Sequence, residues 1–478
     1  MFGGDRDFDT ICALSTPPGT GGIHVVRVSG VNALKIVRWS APFLPLTIES
    51  HRCYFGTLVW DSSGQEAIDE VLVTYFKHGH SFTGEETVEI SCHGSPFIAN
   101  RILKVLLVNG ARMADRGEFT YRAFVNGKLD LVQAESVLSL IESESQKASQ
   151  IALKQLKGGL SSDLRSIESH ILGLLARLEI SIDFTTEDVE IISKDDIRFR
   201  VGQINAPILK LLETFRIGSR IQSGFEVVLV GEPNVGKSSL LNRVLSENRA
   251  IVTEVPGTTR DLIQEEIVIK GVKVSLIDSA GIRETSDIVE KIGVSRTREA
   301  IDRADLVLAI FDSKSPNLEE LIKELPVNLA KVVFVGNKAD LVSMDSEAAI
   351  RGALQSLLKS LNKFQSQSEV ELFIRERCIF LSSLAPESRG QMVDIIERHL
   401  DTGSFGDDAV LSQARHFENL QRASECFARA AELADEGASP EFLALEVKEG
   451  LVRVQETLGE RFDDQVLDRV FREFCIGK

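Results

Sequence analysis

A strand-forming run, Phe225 to Val230, leads without interruption into Gly231-Glu-Pro-Asn-Val-Gly236-Lys237-Ser238, and a helix-forming run from Ser239 to Leu245 follows. Few folds accept that order. Glycines let the backbone curl until its N–H groups converge on one point. The dipole of the following helix adds positive potential there. Such a loop is built for phosphate, with Asn234, Val235, Gly236 and Ser239 among its binding residues. Lys237 is expected at the β and γ phosphates, and the Ser238 hydroxyl on magnesium.

Two further strand ends extend the site. Val274-Ser-Leu-Ile-Asp278-Ser-Ala-Gly281 ends an apolar strand in an aspartate. Asp278 is placed to hold magnesium through water, and the Gly281 N–H to sense the γ phosphate. Lys331-Val-Val-Phe-Val-Gly-Asn337-Lys338-Ala-Asp340 feeds a strand into a polar loop. A carboxylate accepts the N1–H and the 2-amino hydrogens of guanine, and adenine offers neither bond. Asp340 is therefore expected to read the base, with Asn337 and Lys338 shaping its pocket. Ser382-Ser383-Leu384, after the strand Cys378 to Leu381, is a candidate for the last base-contact loop, and equally a plain serine-rich strand end.

Cleaving a phosphoanhydride needs charge stabilisation and an oriented water. Many small GTPases carry a glutamine just after the DxxG glycine, but here that residue is Ile282, which cannot orient water. Arg283, Glu284, Asp287 and Glu290 follow, and one of these carboxylates is a candidate for positioning the water. They read equally as a solvated acidic helix start. In Ile251-Val-Thr-Glu-Val-Pro-Gly-Thr258-Thr259-Arg-Asp261, the two threonines are candidates for a loop covering the phosphates. Thr259 would complete the magnesium shell.

The rest of the chain sorts into blocks. With 478 residues, two to four domains are expected. Residues 1–125 carry short β-type runs such as HVVRVSG, EVLVTYF and TVEISCHG, with a helix near Pro96 to Asn109, and read as an α+β domain. Residues 126–222 show apolar residues at helical spacing. Strands and helices alternate over 223–400, the mark of a parallel α/β sheet. A helical tail fills 401–478. The two helical stretches can pack together, which makes the α/β block an insertion. The apolar runs are too short to span a bilayer. The opening MFGGDRDFD lacks an apolar signal region, so the expected location is cytoplasmic. Six cysteines form no CxxC pair and read as reduced thiols. A net charge of -17 argues against a general nucleic-acid binder but leaves room for a local basic groove.

With GEPNVGKSS, GTTRD, DSAGIRET, NKAD and the terminal FCIGK in place, the chain resembles the MnmE/TrmE family of tRNA wobble-uridine modification GTPases over essentially its whole length. FDTICALSTPPGTGGIHVVRVSG, SFTGEETVEISCHG and RGEFTYRAFVNGKLDLVQAE are similar to that family's N-terminal domain. The resemblance implies an N-terminal α+β folate-binding and dimerisation domain, then a helical domain interrupted by a Ras-like P-loop G domain. It implies activation by potassium, held by Asn234, Thr253, Val255 and Thr258, with Thr253 also near the nucleotide. Glu290 matches the family's catalytic glutamate. Arg27, Glu89, Lys128 and Lys478 match positions that bind a tetrahydrofolate derivative (5-formyl or 5,10-methylene). Cys475 matches a terminal cysteine thought to matter for modification. Implied partners are a second copy of the chain, tRNA and a MnmG/GidA-type subunit that carries FAD. This chain has no G-x-G-x-x-G fingerprint of its own for a dinucleotide.

DSAG stands where the family has DTAG, CHGS where it commonly has CHGG, and SSLAPESRG fits the last nucleotide loop poorly. A rival reading is a ribosome-assembly GTPase in which hydrolysis times release from RNA. The G domain serves both. Such proteins usually carry a basic RNA-binding appendage, whereas this chain ends in an acidic helical segment closing with FCIGK.

Overall fold

The computed structural model describes residues 9–60, 66–183, 193–245, 264–278, 298–326, 328–360, 364, 366–400, 409–462 and 464–478. They form two compact units. The first takes in Met1–Glu142, Ala152–Glu213 and Ala414–Lys478; the second takes in Ser143–Ile151 and Thr214–Gln413.

The second unit is built on a six-stranded sheet. Its strands are β7 (Phe225–Val230), β8 (Gln264–Ile269), β9 (Val272–Asp278), β10 (Leu306–Asp312), β11 (Val332–Asn337) and β12 (Cys378–Phe380), in the order β12-β11-β10-β7-β9-β8. Every neighbouring pair is parallel except β8 with β9. Near-continuous apolar strands such as LVLAIF are what a sheet covered on both faces requires. Alternate residues feed two separate cores. Val227, Leu229, Leu306 and Leu308 join one; Val228, Val230, Val307 and Ala309 join the other. The chain turns to opposite sides of the sheet at β7, between β10 and β9, and parallel α/β sheets hold ligands at the carboxyl ends of strands around such a switch point. This is the Ras-like G-domain arrangement expected from the motifs.

In the first unit, β1 (Ile11–Leu14), β2 (Ile23–Ser29), β3 (Arg52–Val59), β4 (Ala67–Phe76), β5 (Thr87–His93) and β6 (Arg112–Met113) form a second sheet, in the order β3-β4-β5-β2-β1-β6. Period-two alternation buries Val26, Val28, Val71, Val73, Val88 and Ile90 with the helices Ala33–Ser40 and Pro96–Val108. Arg27 and Glu89 lie on the opposite face, directly across from one another in register. The α+β reading of this region holds.

Helices supply the rest of that unit. Leu160, Leu164, Ile167, Ile171, Leu174 and Leu178 make a buried stripe along Gly159–Asp183. It meets Pro440–Leu458, which buries Leu443, Val447, Leu451, Val454 and Leu458 and packs in turn on Ala414–Glu436. Gln455 donates to Glu168 at 2.7 Å across the first contact. Helix Leu131–Ile141 begins with a capping box in which Asp130 and Gln133 satisfy each other's backbone N–H groups. No helix among the described residues is long and apolar enough to cross a membrane.

Candidate functional site

The loop after β7 depends on its two glycines. Gly231 has φ +155°, and a Cβ there would lie 2.1 Å from the Ile310 carbonyl oxygen. Gly236 has φ +96°, and its Cβ would lie 2.2 Å from Asn337 Nδ2. No other residue fits either place. Asn234, exposed at φ 65°, completes the curl, while Val235 turns into the core and anchors the loop. Helix Lys237–Leu245 then starts with its N-terminus at the loop. The Lys237 ammonium is buried and donates to the carbonyls of Gly231 (2.7 Å) and Glu232 (2.8 Å). Ser239 is exposed on the first turn of the helix.

Ser238 Oγ donates to Asp278 Oδ2 at 2.8 Å. A hydroxyl and a carboxylate one hydrogen bond apart, beside a loop shaped for polyanions, make an all-oxygen donor set. This is the chemistry that suits magnesium. Thr259, Gly281, Glu290 and the residues expected to hold potassium, Thr253, Val255 and Thr258, lie outside the described residues, as do Ile282, Arg283, Glu284 and Asp287.

The loops after β11 and β12 are tied to the loop after β7 by Asn337, which is fully buried. Its Nδ2 donates to the Val235 carbonyl at 2.8 Å, and its Oδ1 accepts from the Ser383 N–H at 3.0 Å. One side chain thus joins three loops that the sequence presents far apart. Lys338, at φ 61°, pairs with Asp312 Oδ2 at 2.6 Å and donates to the Asn234 carbonyl at 3.2 Å. Burial works against ionisation of Asp312, yet the Lys338 ammonium and the Lys314 amide hold its carboxyl below the ordinary range. Asp340 follows, exposed in the 3-10 turn Ala339–Leu341. Ser382 Oγ accepts from the Leu384 N–H at 3.3 Å, which shapes the turn after β12. Sequence reasoning missed Asp312. Its signal was available: it is a third aspartate-type end to an apolar strand, on the same sheet edge as Asp278 and Asn337.

A second constellation lies on the N-terminal sheet. Arg27 pairs with Glu89 at 2.8 Å, and its guanidinium stacks on Phe82 (5.7 Å) and Phe119 (5.6 Å). Phe119 is carried by the helix Glu118–Val125, which a buried ion network fixes. Arg122 contacts Asp9 (2.7 Å), Glu85 (3.0 Å) and Glu118 (3.0 Å), and Arg112 contacts Glu118 and Asp9. Burial opposes ionisation of Glu118, and the two arginines still hold its carboxyl low. Lys128 donates to the Gly79 carbonyl at 3.1 Å, gripping the loop that presents Phe82.

The chain end comes to the same place. Phe471 and Phe474 are buried with Tyr121, Leu131 and Ala134, and Ile476 bridges to Arg116. These anchors leave Cys475 exposed and set Lys478 beside Arg27 and Glu89. Burial, with repulsion from Arg27, pushes the Lys478 ammonium below its usual range, against the pull of Glu89 and Cys475. By contrast, burial pushes the Cys12 thiol up to about 12 and Cys92 and Cys378 to about 11. Those three are poor nucleophiles. The structure therefore gathers Arg27, Glu89, Lys478 and Cys475, with Lys128 on the flanking loop.

Comparison with known proteins gives concordant matches. The family described as GTP-binding protein TrmE N-terminus matches residues 10–128, and the MnmE helical domain family matches residues 131–475. A Bdellovibrio bacteriovorus protein named tRNA modification GTPase MnmE is 49% identical over 481 residues, covering 100% of this chain and 99% of its own. Proteins of the same name from Alkaliphilus metalliredigens (39% identical) and Christiangramia forsetii (36%) each cover 98% of this chain and 99% of their own.

Proposed function

Since this chain belongs to the MnmE family of tRNA modification GTPases, we propose that it couples GTP hydrolysis to installing a carboxymethylaminomethyl-type group at C5 of the wobble uridine of certain tRNAs. It is a GTP hydrolase acting in tRNA modification. The finer reading has a tetrahydrofolate one-carbon unit supplying the methylene, and FAD residing on a MnmG/GidA-type partner. The chain works as a cytoplasmic homodimer. The observation that carries this reading is the gathering of Arg27, Glu89 and Lys478, with Cys475 beside them, in a chain that also holds the phosphate and guanine loops.

In the G domain, Lys237 neutralises the β and γ phosphates, exchanging its carbonyl contacts for phosphate oxygens. Ser238 and Asp278, with Thr259, would hold magnesium, which when bound supplies charge to the phosphate oxygens. Asp340 accepts from guanine N1–H and the 2-amino group. Asn337 and Lys338 hold that loop against the phosphate loop. Glu290 orients the attacking water. Asn234, Thr253, Val255 and Thr258 would hold potassium, which when bound offsets charge building on the transferred group, so turnover is expected to rise strongly in potassium over sodium with no added activator. Equal rates in the two salts would remove the potassium loop from this account.

In the N-terminal domain, the pterin of folate carries a guanine-like donor edge that Glu89 accepts, and the cations Arg27, Lys128 and Lys478 suit its carboxylate tail. The test is nucleoside analysis of tRNA from cells lacking this chain, with and without its gene restored. A 5-substituted wobble uridine is expected to disappear and return. An unchanged tRNA profile with defective ribosome assembly would favour a release-timing switch instead.

A further inference from the structure

At the other end of the G-domain sheet lies a cleft that the nucleotide chemistry does not use. It opens where β7 and β10 begin, and the phosphate loop leaves β7 at its far end. Its volume is about 400 Å³. One wall is the last two turns of helix Lys194–Ser223, which presents Phe215, Arg216, Ser219, Arg220 and Ser223 at i, i+1, i+4, i+5 and i+8. The facing wall carries Glu226, Arg303 and Asp305.

The charges here are not equivalent. Asp305 is fully engaged: Oδ1 accepts from Arg220 Nε at 2.7 Å, and Oδ2 accepts from the Glu226 N–H at 3.1 Å. The Asp305 N–H returns a bond to the Glu226 carbonyl at 2.9 Å. Arg220 also stacks on Phe225 at 5.8 Å. That pair closes helix onto strand and is structural. Arg216 and Arg303 differ. Both are exposed, and among the described residues neither has a carboxylate within ion-pair distance. The Glu226 carboxylate, the other one in the lining, has no ion pair among the described residues.

Two unpaired guanidiniums on facing walls of a concave site are unusual in a chain of net charge -17, whose overall field repels anions. Their planar forks match phosphate oxygens two at a time, which a lysine ammonium cannot do. The volume is of the size that holds a small group rather than a flat contact. Ser219 and Ser223 add hydroxyls to the lining. We propose that this cleft binds a phosphate group, carried either by an RNA backbone or by a small phosphomonoester, between Arg216 and Arg303. Glu226 sets a limit on its affinity by repulsion and favours ligands with a hydroxyl beside the phosphate, to which it offers an acceptor.

The test uses the full-length chain with its nucleotide loop saturated by a non-hydrolysable GTP analogue and magnesium, so that the γ-phosphate position is filled and added phosphate cannot bind there. Three proteins are compared: wild type, the double variant Arg216→Gln/Arg303→Gln, and Glu226→Gln. Each is titrated with an unmodified tRNA transcript and, separately, with inorganic phosphate. Among the described residues Arg216 and Arg303 make no ion pair, so the double variant should keep its circular dichroism and thermal midpoint. It is expected to lose affinity by about tenfold or more for at least one probe. Glu226→Gln is expected to tighten the same probe by a few-fold. Loss for tRNA, with a log K against log salt slope shallower by about one, identifies a backbone phosphate. Loss for inorganic phosphate alone identifies a small phosphomonoester. Unchanged affinity for both probes overturns the proposal, as does a Glu226→Gln change in the weakening direction. The tRNA arm rests on the tRNA role proposed above, and the inorganic phosphate arm does not. A failed wobble-uridine experiment with intact, arginine-dependent phosphate binding would therefore remove the former and leave this site standing.

Discussion

Asp340→Asn should lower affinity for GTP by on the order of a thousandfold and raise affinity for xanthosine triphosphate. The substitution keeps size and shape and exchanges one acceptor oxygen for a donor. Guanine then loses two charge-assisted bonds, each worth roughly 1.5–3 kcal/mol, and faces an N–H against its own amino group. Xanthine has a carbonyl at that position and gains a partner. The fold should not suffer, because Asp340 is exposed and the loop is held by other residues: Asn337 on Val235 and Ser383, and Lys338 on Asp312. Equilibrium binding of both nucleotides to the variant checks this. An unchanged preference for GTP would move base recognition to another residue.

The second large effect is on stability. Glu135 lies half-buried in the helical part of the first unit, its side chain 12% exposed. Arg415 grips its two oxygens with Nε and a terminal nitrogen, each at 2.8 Å, and His416 Nε2 lies 2.6 Å from Oε2. Arg415 also donates to the carbonyls of Glu456 and Thr457, at the end of Pro440–Leu458. Three helices therefore meet on one carboxylate. Glu135→Gln takes the counter-charge from the half-buried Arg415 and a hydrogen-bond partner from the buried His416, a loss of about 2–4 kcal/mol. The thermal midpoint should fall by on the order of 10 °C.

The pH dependence carries its own sign. Burial opposes the charged form of Glu135, but Arg415 and His416 outweigh it and hold the carboxyl at about 2. An unfolded glutamate titrates near ~4.3. Stability from this group is thus fully present above that value and is lost as pH falls from there toward 2. The wild type should lose stability across that window, and Glu135→Gln should lose correspondingly less. Matching acid-unfolding curves for the two proteins would show that the cluster contributes nothing.

The phosphate loop was legible because everything it needs is local: strand, glycines, lysine, serine and helix occupy consecutive residues. The Ras-like sheet followed from alternating apolar strands and helices, and Asp278 and Asn337 were visible as polar ends to buried strands. What was not legible depends on contacts between distant segments. Nothing in the sequence joins Asn337 to Val235 and Ser383, because that requires β7, β11 and β12 to end on one edge. Arg27 and Glu89 each read alone as a surface charge. Only antiparallel register puts them opposite one another, and only the burial of Phe471 and Phe474 brings Lys478 to them. The Glu135, Arg415 and His416 cluster was invisible for the same reason, since charged residues in helical stretches ordinarily face water.

GTP recognition by this chain turns on a backbone cradle that takes a triphosphate and a carboxylate that accepts guanine. Equilibrium binding of GTP and ATP to the purified full-length chain, in the same magnesium buffer, tests it most directly. GTP should be retained with a preference over ATP of about a thousandfold or more. Equal affinities, or failure to retain GTP at all, would contradict it.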